Sequence, residues 1–208
     1  MENKKQEKER IGIYGGTFSP PHLGHVRAAS LFLAGETLDR LLIIPTLIPP
    51  HKERTEITSA EDRLAMCRMA FAFSEKTEIS DIEIQRGGKS YTSETLRALR
   101  GEDRTLILLC GTDMLLSMDT WHEPNVIFSL AEIVCMRRES DAATERALTE
   151  KAIFYRESFG ATVRFLDGTP FELSSSEVRA RIASEDTTWK DFVSPDIAAY
   201  ITERGLYR

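Results

Sequence analysis

The chain lacks what several classes of protein require. It has no apolar run approaching the length that spans a bilayer. Its three cysteines, Cys67, Cys110 and Cys135, lie far apart and form no CxxC pair, which argues for buried reduced thiols rather than a zinc site. Cations are not in excess: 27 Lys and Arg against 33 Asp and Glu give a formal net charge of −6. That is the wrong sign for a broad nucleic-acid surface, although a few local donors suffice for a small anion. There is no GxxxxGK[ST] phosphate loop, no GxGxxG dinucleotide fingerprint, no internal repeat and no low-complexity segment. The opening residues MENKKQEKER have no apolar export core, so 1–9 read as a charged leader. These absences leave the expectation of a cytoplasmic protein, one domain over 1–208, with no membrane or nucleic-acid partner.

What is present is a regular alternation. Short apolar runs predict strands at 10–14, 40–44, 105–110, 132–136 and 161–166, with an extended segment at 79–85. Between them, helical spacing predicts helices at 22–33, from Ser59 onward, and at 92–99, 127–130, 142–159, 174–183 and 195–204. Ser59 with Asp62 reads as a partial capping box, and the charged helix at 142–159 as a solvated face. The run Thr105–Cys110 is apolar throughout, as expected of a strand covered on both faces. The implied fold class is α/β, a doubly wound parallel sheet, whose ligands sit beyond the carboxyl ends of the strands.

Just past the first strand comes GGTFSPPHLGH, residues 15–25. Gly15 and Gly16 permit close backbone approach and conformations that other residues avoid. Pro20 and Pro21 stiffen the entry to a helix. His22 and His25, three apart, face the same way at its N-terminus, where free N–H groups and the dipole favour a phosphate chain. A glycine turn with two surface histidines is the plainer reading, and the whole string weighs against it. A second stretch, LSSSEVR at 173–179, pairs Ser174 with Glu177 as a capping box and sets Ser175 four residues before Arg179. Alone it would be a well-capped surface helix. Beside a first phosphate site, its hydroxyls and Arg179 become candidates for the outer phosphates of a triphosphate.

The two stretches together resemble the nucleotidylyltransferase superfamily, with its (H/T)xGH and SSTxxR-type motifs. IPPHK at 48–52, KSYT at 89–92 with Thr95 and Leu96, GTD at 111–113, Thr120–Trp121 and the closing GLYR at 205–208 narrow the resemblance to bacterial nicotinate-nucleotide adenylyltransferases, from residue 11 onward. Ser19 stands where that family usually has Asp or Asn, Pro21 where it has Ile or Val, and SSS replaces SST.

The resemblance implies a Rossmann-like nucleotidylyltransferase fold. It also implies transfer of AMP from ATP to nicotinate mononucleotide, giving deamido-NAD and pyrophosphate, without a covalent enzyme intermediate. It assigns His22 and His25 to the transferring phosphate. Gly15, Gly16, Thr17, Phe18, Gly111, Asp113, Ser174, Ser175, Ser176 and Arg179 join them as ATP contacts, with the helices of 174–208 completing that site. Thr17, Lys52, Tyr91, Thr92, Trp121 and Arg137 fall to nicotinate mononucleotide; Arg54 is a lesser candidate, and His51 reads as loop. Trp121 could equally be core, Thr92 or Asp113 a helix cap, and Lys52 a solvated loop residue. Mg²⁺ is expected to travel with ATP, on phosphate and water oxygens, with no protein metal site. Homo-oligomerisation is left open. The competing readings are an adenylyltransferase for nicotinamide mononucleotide or phosphopantetheine, and a non-catalytic nucleotide-binding module. A tRNA-aminoacylating domain is disfavoured by the lack of a KMSKS-like loop.

Overall fold

The computed structural model describes residues 8–49, 58–137, 141–166 and 173–208. The chain runs β1 (Glu9–Gly16), α1 (Leu23–Gly35), β2 (Arg40–Pro45), α2 (Ala60–Ala70), β3 (Thr77–Ile79), α3 (Ile82–Arg86), α4 (Thr92–Leu99) and β4 (Arg104–Gly111). It continues through α5 (Thr112–Ser117), α6 (Pro124–Leu130), β5 (Ala131–Met136), α7 (Ala142–Phe159), β6 (Val163–Leu166), α8 (Ser175–Ala183) and α9 (Pro195–Arg204). The strands form one six-stranded sheet in the order β3-β2-β1-β4-β5-β6. Every neighbouring pair is parallel.

Strand side chains alternate between faces, and the core divides accordingly. Leu41, Ile43, Ile107, Leu109 and Val134 face one layer, where Ala29 and Phe32 of α1, Met66 of α2, Val178 of α8 and Ile197 of α9 cover them. Leu42, Ile44, Leu106, Leu108 and Ile133 face the other, under Leu96 of α4, Leu115 of α5, Ile127 of α6 and Leu148 and Tyr155 of α7. This is why β4 is apolar from Leu106 to Cys110. Each such side chain contributes about 1.5–3 kcal/mol on burial. Gly12 sets how closely α1 sits: a Cβ there would come within 2.6 Å of Leu38 and 2.9 Å of Phe32.

The predicted extended segment at 79–85 is corrected. The strand ends at Ile79, and Ile82–Arg86 forms a helical turn. Its alternation of apolar and polar residues is read inward at the polar position: Glu83 is the buried residue, 5% exposed. Residues 112–120, for which no element was expected, form α5 and a 3-10 turn, and 187–192 form another such turn. The three cysteines are free and buried, as expected. Burial pushes the Cys67 thiol up to about 12, so it is chemically quiet. Among the described residues no helix is long and apolar enough to cross a membrane.

Candidate active site

Strands β1 and β4 are neighbours, yet the chain leaves them toward opposite edges, to β2 and to β5. Their carboxyl ends therefore border a crevice, the place where such sheets bind ligands. A cleft of about 860 Å³ opens there.

The turn after β1 forms one wall, with Gly15, Gly16, Thr17, Phe18, His22 and His25 all lining the cleft. Gly16 is needed for a close approach, since a Cβ would lie 2.9 Å from the Phe18 ring. The unusual backbone expected of the glycines falls instead on Phe18, at φ 48°. A left-handed non-glycine costs about 1–2 kcal/mol. Burial of its ring, 1% exposed, offsets this by a similar or larger amount. That ring sits edge-on to Tyr14 at 5.4 Å, Phe71 at 5.5 Å and His25 at 5.0 Å.

The carbonyls of the turn are drawn away by other segments. Thr46 N–H donates to Gly16 O at 2.9 Å, Arg63 Nη1 to Thr17 O at 3.0 Å, Arg179 Nη1 to Ser19 O at 2.8 Å, and Ser175 Oγ to Pro20 O at 2.9 Å. The N–H groups of Thr17, Phe18 and Ser19 find no acceptor among the described residues. Donors left over at the rim of a cleft suit an anion.

His22 caps α1 from extended backbone, and its own N–H donates to Nδ1 of His25 at 3.1 Å. Nδ1 is thereby an acceptor, which leaves the proton of a neutral ring on Nε2 as a donor. The two imidazoles stack with centroids 3.7 Å apart. The first turn of α1 holds no acidic residue, so no side chain of that turn compensates the positive end of its dipole.

Ser174, Ser175, Ser176 and Arg179 form the facing wall. Ser174 caps α8 by accepting from Glu177 N–H at 3.1 Å. The expected reciprocal half of the capping box is absent, because the Glu177 carboxylate pairs with Arg181 at 3.0 Å. Arg179 also donates to Ser176 Oγ at 3.1 Å, so its guanidinium spans from the turn to its own helix.

At the far end of the cleft lie Tyr91, Thr92, Asp113 and Trp121. Tyr91, not Thr92, is the cap of α4, and Gly111, not Asp113, the cap of α5. Trp121 is half-buried on the cleft wall; the core tryptophan is Trp189. His122, which sequence reasoning left without a role, also lines the cleft, its ring 4.2 Å from that of Tyr91. Glu123 ties this segment to α4: Arg97 grips its carboxylate at 2.5 and 2.7 Å and Ser93 Oγ donates at 3.2 Å. The Arg97 bond holds that carboxyl at about 2, below the ordinary 4.5.

Two expected residues are not brought in. Gly111 ends β4 without lining the cleft. Arg137 lies 3.6 Å from Glu145 and 5.6 Å over the Phe165 ring, away from the lining, because β5 delivers it to α7 and β6 instead. Lys52, with His51 and Arg54, falls outside the described residues. Thr46, Lys89 and Ser90 line the cleft and were not expected as contacts; the KSYT stretch was the one signal for the latter two. Among the described residues no group of three His, Cys, Asp or Glu side chains is placed to hold a metal ion.

A family model described as cytidylyltransferase-like matches residues 13–181, and fold and cleft alike place the chain in that class. Curated relatives narrow it. A protein of Trichlorobacter lovleyi named "Probable nicotinate-nucleotide adenylyltransferase" is 37% identical, over 96% of this chain and 99% of its own length. A Pseudomonas syringae protein of the same name is 35% identical, over 96% of this chain and 94% of its own. The chain belongs to the nicotinate-nucleotide adenylyltransferase family. Among solved structures, Plasmodium falciparum nicotinic acid mononucleotide adenylyltransferase matches in complexes with APC and with NaAD, at TM-scores of 0.75 and 0.77. Each covers 96% of this chain and 97% of its own at 17% identity, a likeness of fold alone.

Proposed function

We propose that the protein transfers the adenylyl group of ATP to nicotinate mononucleotide, releasing pyrophosphate and deamido-NAD, a step of NAD biosynthesis. The observation that carries this is the single cleft in which two helix N-termini, each with its phosphate-seeking side chains, meet an aromatic wall. The relatives bear the same activity in their names.

ATP lies with its phosphates between α1 and α8 and enters as its magnesium salt, the ion coordinated by phosphate and water oxygens. A phosphate oxygen of the mononucleotide attacks the α-phosphorus, a new P–O bond forms in line, and the bond to the bridging α–β oxygen breaks. The electron pair leaves with pyrophosphate. The nucleophile is already an anion, so no general base is required. Catalysis is then positioning and charge stabilisation. His22, Nε2 of His25 and the outward N–H groups of Thr17 and Phe18 face the transferring phosphate. Ser174–Ser176 and Arg179 hold the β and γ phosphates as they become pyrophosphate. Trp121 offers its face to the positively charged pyridinium ring, and N–H donors near Thr92 and Trp121 receive the carboxylate. A site built for a carboxylate rejects the amide, whose binding would leave those donors unpaired.

The reaction is tested by phosphorus NMR of the protein with MgATP and nicotinate mononucleotide. One pyrophosphate and one dinucleotide should appear per ATP consumed. Orthophosphate without dinucleotide, or transfer to phosphopantetheine instead, would overturn the reading.

A further inference from the structure

The turn that faces the phosphates is also gripped from behind. Arg63 stands in the first turn of α2 on the inward stripe of Met66, Cys67 and Ala70, and despite its charge it is 1% exposed. Its guanidinium donates to carbonyls of three separate segments: Nε to Thr58 O at 3.2 Å, Nη1 to Thr17 O at 3.0 Å and Nη2 to Leu47 O at 3.5 Å. Thr17 belongs to the phosphate turn; Leu47 and Thr58 flank residues 50–57. The preceding residue, Asp62, accepts from Tyr200 and Arg204 of α9 at 2.8 and 3.0 Å, so the start of α2 also anchors the last helix.

The segment after α9 then returns to the same turn. Tyr207, the aromatic residue of the GLYR stretch, brings its hydroxyl within 3.2 Å of Ser19 Oγ. Burial pushes the phenol well above its ordinary range, so it acts as a neutral hydroxyl. Ser19 is 1% exposed and is the residue whose carbonyl receives Arg179.

We propose that Arg63 and Tyr207 are positioning residues that brace the phosphate turn from behind, Arg63 through the Thr17 carbonyl and Tyr207 through Ser19, so that ATP meets a preformed site. A turn whose carbonyls are held in place keeps its N–H groups outward without reorganising when the phosphates arrive. Tyr207 acts at one remove: it fixes Ser19, which fixes Arg179. Its contribution therefore falls on ATP and not on the pyridine nucleotide.

The inference rests on the ATP-site reading above, and its test is separable from it. Tyr207→Phe removes one hydroxyl and keeps the packing. Its Kd for ATP, measured by calorimetry, and its KM for ATP should rise about three- to tenfold. KM for nicotinate mononucleotide should stay within about twofold and the melting midpoint within about 2 °C. In a double-mutant cycle, Tyr207→Phe and Ser19→Ala should together cost ATP affinity little more than one of them alone. Arg63→Lys keeps the charge but cannot serve the separated carbonyls together, and should lower kcat about tenfold or more. Unchanged ATP affinity in Tyr207→Phe would overturn the brace, as would additive effects with Ser19→Ala. A wild-type protein that binds ATP without adenylyl transfer would instead overturn the functional reading, and the calorimetric comparison would still decide the brace.

Discussion

Two helices aim their N-termini at the same cleft, and they are built differently. The first, α1, is capped by His22, carries no acidic residue in its first turn, and follows a turn in which the N–H groups of Thr17, Phe18 and Ser19 have no acceptor among the described residues. The second, α8, is capped by a serine, holds Glu177 in its first turn, and already directs Ser175 and Arg179 onto carbonyls of the opposite turn. The turn on the α1 side keeps backbone N–H groups that have no acceptor among the described residues. The α8 side spends part of its donors closing the cleft. For the proposed reaction, the difference is the reason we give charge stabilisation in the transition state to α1 and the grip on the leaving pyrophosphate to α8.

That division is broken or sharpened by substitution on each side. The largest effect is expected from His25→Ala, which removes a cleft-lining imidazole and the acceptor for His22 N–H. Turnover should fall about 100- to 1000-fold with little change in ATP affinity. A mutant with near-normal kcat would take His25 out of the chemistry. Arg179→Ala should cost about 10- to 100-fold in kcat/KM for ATP, chiefly through KM. Arg179→Lys should recover only part, since one ammonium cannot match the planar fork that reaches both Ser19 and Ser176. Swapped signatures, with KM moving at His25 and kcat at Arg179, would invert the assignment. Next, Trp121→Ala should raise KM for nicotinate mononucleotide about three- to tenfold and leave KM for ATP alone.

The smallest effect concerns Glu123, the strut between α4 and the Trp121 segment. Its carboxyl is depressed to about 2 in the folded state, from an ordinary 4.5. Its stabilising contribution is therefore complete above about pH 5 and lost as pH falls through the folded value. Glu123→Gln should lower the melting midpoint slightly at pH 7, and the gap to wild type should shrink as pH falls below 4.5. Parallel melting curves across that range would remove the Arg97 pair as its cause.

Much of this was legible in the sequence because it is local. Five of the six strands, β1, β2, β4, β5 and β6, with α4, α7 and α9 and the caps Ser59 and Ser174, follow from periodicity and hydroxyl placement, and the observed elements match them within a few residues. The joining of residues 15–25 with 173–179 in one cleft was also readable, because both stretches seek the same charge. Illegible were the choices that depend on what lies opposite. Glu83 holds the polar position of an alternating run and Arg63 is a cation on an otherwise apolar helical stripe, and the fold buries both because carbonyls and hydroxyls from other segments converge there. Arg137 shows the same effect in reverse: its position past β5 suggested the ligand edge, and the fold sets it against Glu145 and Phe165. Glu123 is invisible in sequence because its partners Ser93 and Arg97 are 30 and 26 residues away.

The most direct measurement of the central claim is the initial rate of pyrophosphate release with MgATP and either nicotinate mononucleotide or its nicotinamide counterpart. Fast release with the acid and a rate lower by orders of magnitude with the amide is the predicted result. Equal rates would contradict the carboxylate pocket beside Trp121, and no release with either would contradict the adenylyl transfer itself.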